Sequence, residues 1–297
     1  MSRAIESIEH FTATDGASLR YGIWRAPASN TAVLLLHGMA SNMTRWSEFV
    51  RQTNLGLDFN VIRMDLRGHA GSVYRGRIDL QRWTADMIEL MHKEGVDQVV
   101  LVGHCLGANL AVHFSAAHPQ ITSGVVLIEP IVKQALVGVL ARAARYRPLL
   151  VALVPLLRAT AKLGLYRRTL APLDLEQLDQ QTREAMAEHE GEFPQNRYGS
   201  VREDLRQIPL VVYLQDLLAV TAPMPERGLG NTPALAMLAT ESTFTDRQQT
   251  LVWLGEQHNC KIESVPAAHW IPTEQPALMR ELIEDWCRTL TSNPSRR

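Results

Sequence analysis

Cysteine is scarce in this chain: three residues, Cys105, Cys260 and Cys287, stand far apart, without the paired spacing of a zinc site or a redox dithiol. A disulfide scaffold is thereby excluded, and a reducing, cytoplasmic setting fits. Long apolar runs are also missing. The longest covers residues 148–157, about half of the roughly 20 residues that a membrane-spanning helix needs. No transmembrane segment is expected. The stretch Met1 to Phe11 carries acidic residues and lacks the apolar core and small-residue cleavage site of a secretory signal. Nor is there an excess of one charge, since the formal net charge is -1 and the isoelectric point is near 6.8. Nucleic-acid binding needs a concentrated basic excess, so a small-molecule partner is the expectation. No ligand cluster calls for a metal, and no cofactor is implied. Internal repeats and low-complexity tracts are absent.

What is present is enough apolar residue, 46% of 297, to fill one large core. Short β-rich runs alternate with longer segments of helical period, the pattern of a mostly parallel sheet covered by helices on both faces. A hairpin is read from Ile8 to Thr14 and Leu19 to Trp24, turning at Asp15 and Gly16. Further strands are expected at Ala32 to Leu36, Asn60 to Met64, Gln98 to Val102, Gly124 to Ile128, Ala234 to Ala239 and Lys261 to Val265. Helices are expected at about Thr44 to Gln52, Leu80 to Glu94, Ala108 to His118, Asp246 to His258 and Glu274 to Leu290.

One interval breaks this rhythm. Residues 131–233 are mainly helical and divide the α/β core into residues 1–130 and 234–297, so the interval is read as a helical cap, or lid, inserted into the core. From Lys133 to Arg168 it holds basic residues and no acid, interleaved with leucine, valine and alanine; from Asp174 to Glu192 it is rich in acid. The plain expectation is a helical subdomain whose two halves attract each other. The alternative is that the basic, apolar half makes a weak membrane-surface contact or meets an anionic substrate.

The chemistry concentrates where open α/β sheets place their sites, at the strand ends. A strand runs into Gly103-His104-Cys105-Leu106-Gly107 and then into a helix, which is the Gly-x-nucleophile-x-Gly elbow with cysteine as the nucleophile. The flanking glycines relieve a turn too sharp for side chains. The helix N-terminus favours the thiolate of Cys105, which matters because a free thiol with a pKa of about 8.5 is only slightly ionised at neutral pH.

His37-Gly38-Met39 after one strand, Asp65 to Ser72 after the next, the elbow, and Ala268-His269-Trp270 near the C-terminus resemble the α/β-hydrolase superfamily in order and spacing. The resemblance covers residues 8–130 and 233–292 and implies the α/β-hydrolase fold. It also implies an oxyanion hole built from the backbone N–H groups of Met39 and Leu106, with His269 as general base and His37 shaping the oxyanion loop. The acid departs from the family's common pattern, because the position that usually carries aspartate is Ser242. Glu129, which closes the apolar strand Val-Val-Leu-Ile, is expected to serve, as in relatives that carry their acid at this strand end, since a carboxylate so placed needs a partner. Glu241 is the alternative acid, and Asp246 reads better as a helix cap.

A Cys105, His269, Glu129 set so arranged implies hydrolysis of a carboxylic ester, thioester or lactone through an acyl-thioester intermediate. The leucine-rich insertion argues for an apolar acyl part. Two other readings stay open: an acyltransferase of the polyester-synthase type, and a ligand receptor on the same fold with little turnover.

Overall fold

The computed structural model describes residues 6–164, 169–188, 198 and 200–291. Eight strands form one sheet: β1 (Ser7–Thr12), β2 (Ser18–Trp24), β3 (Thr31–Leu36), β4 (Asn60–Met64), β5 (Gln98–His104), β6 (Thr122–Ile128), β7 (Ala234–Ala239) and β8 (Cys260–Val265). Their spatial order is β1-β2-β4-β3-β5-β6-β7-β8. The first two strands run antiparallel, and β3 to β8 are parallel.

Alternation along β3 shows how the sheet is held. Leu34 and Leu36 face one core with Trp83, Met87, Leu90 and Phe114, while Val33 and Leu35 face a second core with Trp46, Phe49, Ile283 and Trp286. Burial on both faces is why this strand reads as a continuous apolar run rather than an alternating one. The helices that cover the sheet are α1 (Ser47–Gln52), α2 (Leu80–Glu94), α3 (Leu106–Ala117), α9 (Arg247–Gly255), α10 (Ile271–Glu274) and α11 (Pro276–Thr291).

Two expected helices are each divided. Residues 44–52 begin as a 3-10 turn, Met43–Trp46, because the Asn42 side chain accepts the Thr44 N–H at 2.8 Å and fixes a tight start. The C-terminal helix splits at Gln275 (φ -133, ψ 53), since Pro276 disfavours helical backbone in the residue before it.

Between β6 and β7 the chain forms α4 (Gly138–Arg145), α5 (Arg147–Lys162), α6 (Leu175–Glu188), α7 (Val201–Gln207) and α8 (Leu210–Val220). The expected attraction between the basic and acidic halves of this interval is not what the described residues show. Asp179 pairs with Arg45, Glu176 with Arg51, and Arg183 reaches Glu48 at 2.7 Å. The acids of α6 therefore neutralise the segment just before and within α1, against which that helix lies, and not the arginines of α4 and α5. Arg167, Arg168, Glu190 and Glu192, which the sequence assigns to these two halves, lie outside the described residues. No described helix is long and apolar enough to cross a membrane.

The tightest point of the fold is the turn from β5 into α3. A Cβ on Gly103 would stand 2.2 Å from the Gly107 carbonyl oxygen, and one on Gly107 would stand 2.3 Å from that of Leu36. Both neighbours are backbone and cannot yield, so strand and helix meet here only because both residues lack a side chain. Gly107→Ala should therefore cost about 1–3 kcal/mol or more, seen as a lower melting temperature. An unchanged melting curve would show that the turn is looser than described.

Candidate active site

Cys105 sits at the top of that turn with φ 53 and ψ -113, a conformation that only a constraining environment sustains. Its N–H donates to the Ile128 carbonyl at 2.9 Å, and its own carbonyl accepts the N–H groups of Ala108 and Asn109 at 3.0 and 3.2 Å. The thiol is half-buried at the N-terminus of α3.

On the neighbouring strand end, Glu129 is also in the left-handed region, with φ 51. Its N–H donates to the Met237 carbonyl at 3.0 Å, and its carboxylate accepts the Ala239 N–H at 2.7 Å through Oε1. The second oxygen, Oε2, lies 2.9 Å from Nδ1 of His269. The Cys105 side chain lines the same cavity as the imidazole and acts on it to favour its charged form. Thus Cys105, His269 and Glu129 come together although they lie on three separate segments. Glu241 is exposed, and among the described residues it makes no bond to His269. Asp246 accepts the Gln249 N–H at 2.9 Å as the cap of α9, and Ser242 lies 3.3 Å from the Thr245 hydroxyl.

The His269 loop is held from two sides that the sequence reading did not single out. The Glu274 carboxylate accepts three consecutive N–H groups, from Ala268, His269 and Trp270, at 2.9 to 3.2 Å. Nε2 of His104 donates to the His269 carbonyl at 3.2 Å. A glutamate in the first turn of a short helix, reaching back to the preceding N–H groups, is the sequence signal that could have revealed Glu274. His104 occupies the variable elbow position and offers no such signal. The imidazole of His269 also lies against Phe244, with ring centres 4.7 Å apart, and Trp270, at 5.3 Å.

The electrostatics follow from this packing. Burial acts most strongly on His269 and disfavours its charge, but the hydrogen bonds and negative charges of Cys105 and Glu129 outweigh it and raise its pKa from 6.5 to about 9. Next to it, burial and the charge of His269 hold His104 well below the ordinary histidine range, in keeping with a neutral ring.

Facing Cys105 is the loop after β3. Nε2 of His37 accepts the Leu66 N–H at 3.0 Å, and its Nδ1 donates to the Gly38 carbonyl at 2.8 Å. The Ala40 N–H points to Asp216, whose carboxylate also meets Nε2 of His69 at 2.9 Å. Asp65 accepts the N–H groups of Met43 and Gly71 at 2.9 and 3.0 Å. Residues 65–72 thus brace the loop that carries Met39. The backbone N–H groups of Met39 and Leu106 are not engaged by another described residue.

Above the thiol is a cavity of about 150 Å³. Leu140, Leu175, Val220, Phe244 and Trp270 give it apolar walls, and Arg45, Glu203 and Asp204 a polar part. Arg45 is tied to Asp179 and to the Thr273 hydroxyl, while Asp204 is raised to about 7 by burial and by the charges of Asp216 and Glu203. None of these three was singled out from sequence, because their roles depend on helices remote in the chain. No group of three or more histidine, cysteine or acidic side chains arranged for a metal ion occurs among the described residues.

A mostly parallel eight-stranded sheet with a strained elbow at the end of its fifth strand, and a histidine loop after its last, defines the α/β-hydrolase class. The model of the alpha/beta hydrolase family matches residues 33–282, and the chain belongs to that family. Lipase LipV of Mycobacterium tuberculosis is 25% identical over 270 residues, covering 89% of this chain and 94% of the lipase. Three mycobacterial proteins, one from Mycobacterium bovis and two from Mycobacterium tuberculosis strains, are 31% identical over 106 residues; there the match spans only 30% of each relative's length. Among solved structures, an enol-lactonase from Burkholderia xenovorans aligns with a TM-score of 0.66 at 17% identity, over 94% of this chain and 100% of its own. A thermophilic esterase from Thermogutta terrifontis aligns with a TM-score of 0.63 at 19% identity, over 96% and 99%. These likenesses are of fold.

The raised pKa of His269 has a defined sign. The folded chain holds this proton more tightly than the unfolded chain, so the stability it contributes is complete below about pH 6.5 and is lost as pH rises through about 9. In protein labelled on its imidazole nitrogens, the His269 resonances should titrate near 9, and lower in Glu129→Gln. A midpoint near 6.5 in the unaltered protein would contradict the stabilisation of the charged imidazole by its neighbours.

Proposed function

We propose that this chain hydrolyses a carboxylic ester, thioester or lactone with an apolar acyl part, and that Cys105, His269 and Glu129 carry the reaction. The observation behind this reading is the buried His269, bonded through Nδ1 to Glu129 at 2.9 Å and lining the same cavity as Cys105. The cavity above the thiol has walls suited to an acyl chain.

In the first step the Cys105 thiolate attacks the carbonyl carbon, and the oxygen takes up the charge between the N–H groups of Met39 and Leu106. Donors aimed at that oxygen are worth roughly 2.7–4 kcal/mol each where one has been removed. The intermediate collapses as imidazolium His269 passes its proton to the departing alkoxide or thiolate, leaving an acyl-thioester and a neutral imidazole. Water then attacks the thioester, His269 accepts its proton, and the thiolate departs, restoring the starting pair. Glu129 keeps Nδ1 protonated and steadies the imidazolium without taking the proton.

Residues 131–233 act in this reading as a cap, supported by the presence of Leu140, Val201, Asp204, Tyr213 and Val220 in the cavity wall. A reducing cytoplasm is the setting in which the three free cysteines would persist. That the similar proteins include a lipase, an esterase and an enol-lactonase supports carboxylic ester and lactone chemistry.

Brief incubation with nitrophenyl esters of short and long acyl chains, an acid quench and an intact-mass spectrum should show one acyl increment, located on Cys105 after digestion. No increment and no nitrophenol release would overturn the reading. His269→Ala should abolish turnover in a folded protein. Glu129→Gln should lower kcat by about 10²–10⁴, whereas Glu241→Gln should leave it nearly unchanged; the reverse ranking would move the acid. Preferential transfer to an added alcohol would identify an acyltransferase, and an acyl burst without turnover would identify a receptor.

A further inference from the structure

Helix α5 is apolar on two sides. Leu150, Val154 and Leu157 turn inward at spacings of four and three, with Val154 buried against the body of the protein. Leu149, Leu153 and Leu156 repeat the same spacing one residue out of phase, which puts them on a different stripe. That stripe is open to solvent: Leu149 is 64% exposed, Leu156 63%, and Leu163 beyond the helix 78%. Tyr146, in the turn before α5, and Val139, on α4, which packs against α5, are exposed as well. An amphipathic helix needs only one apolar stripe to pack, so the second serves another contact.

Charge narrows what that contact is. Residues 133–164 contain six basic residues and no acid, in a chain whose formal net charge is -1. Lys133, Arg142 and Arg145, in the segment that leads into α5, are exposed, while Arg147 turns inward to the Leu218 carbonyl. Among the described residues no carboxylate pairs with any of these four, because the described ion pairs of α6 go to Arg45, Arg51 and Glu48. A second copy offering the same face would bring like charges together. An anionic lipid surface supplies both what the leucines lack, an apolar layer, and what the arginines lack, negative charge.

The patch also adjoins the proposed site. Val139 is exposed and yet contributes to the wall of the catalytic cavity, with Leu140 beside it. We propose that the outer face of α4 and α5 docks on an anionic lipid surface, so that the cavity takes apolar esters held in that surface. The docking stands by itself; the substrate class rests on the proposed ester hydrolysis.

The test uses the full chain with vesicles of phosphatidylcholine alone and with roughly a third phosphatidylglycerol, reading sedimentation separately from turnover of a soluble short-chain nitrophenyl ester. Binding should be about tenfold or more tighter to the anionic vesicles and should weaken several-fold at high salt. Leu153→Glu with Leu156→Glu, and separately Arg142→Glu with Arg145→Glu, should each reduce vesicle binding about tenfold or more, with soluble turnover within about twofold of the unaltered protein. Equal binding by the unaltered protein and both variants would overturn the docking. So would an absence of binding to anionic vesicles, or a dimer seen by light scattering that the same variants disperse while vesicles are ignored. Because docking and soluble turnover are read apart, vesicle binding without any ester turnover would keep the docking and remove the substrate class.

Discussion

The rest of this molecule is arranged around one buried contact, the 2.9 Å approach of Glu129 Oε2 to Nδ1 of His269. A carboxylate and an imidazole without water around them are costly to place unless each satisfies the other. Here the cost is offset by a full set of partners. Glu129 accepts a second N–H from Ala239, the His269 loop is gathered by Glu274, and His104 donates to its carbonyl. The contact thus fixes the orientation of the ring, and that orientation decides which nitrogen faces Cys105.

Strain is concentrated beside this contact. Cys105 and Glu129 close adjacent parallel strands, β5 and β6, and both hold positive φ without being glycine. Such conformations persist only when the surroundings determine them several times over. The ladder between the two strands, the bond from the Cys105 N–H to Ile128 and the missing side chains of Gly103 and Gly107 supply that determination. The sheet's double-faced burial makes the strand ends rigid enough to carry it.

The helices between β6 and β7 behave differently. The acids of α6 bind them to the segment around α1, and α8 is largely apolar and buried. By contrast, α5 rests on its inner stripe and shows leucine to the outside, while the exposed arginines, Arg142 and Arg145, stand on α4. Residues of this interval both line the cavity and stand exposed to solvent, and Val139 does both.

Sheet strands, the elbow with Cys105, and Glu129 were legible in the chain because each rests on local chemistry: continuous apolar runs, paired glycines and a carboxylate closing a buried strand; His269 was legible only through the resemblance of its loop to the α/β-hydrolase superfamily. Helix ends were less legible where one side chain decides them, as Asn42 does at the 3-10 turn and Pro276 at Gln275. The preference for Glu129 over Glu241 was already readable from its place at a strand end, but its contact with His269, and the choice of Arg45 over the arginines of α4 and α5 as the partner of Asp179, came only from tertiary structure. Sequence fixes which charges exist and which stripes are apolar. Which opposite charge lies within reach is set by how strand ends and helices pack, over separations of a hundred residues or more that no local pattern records.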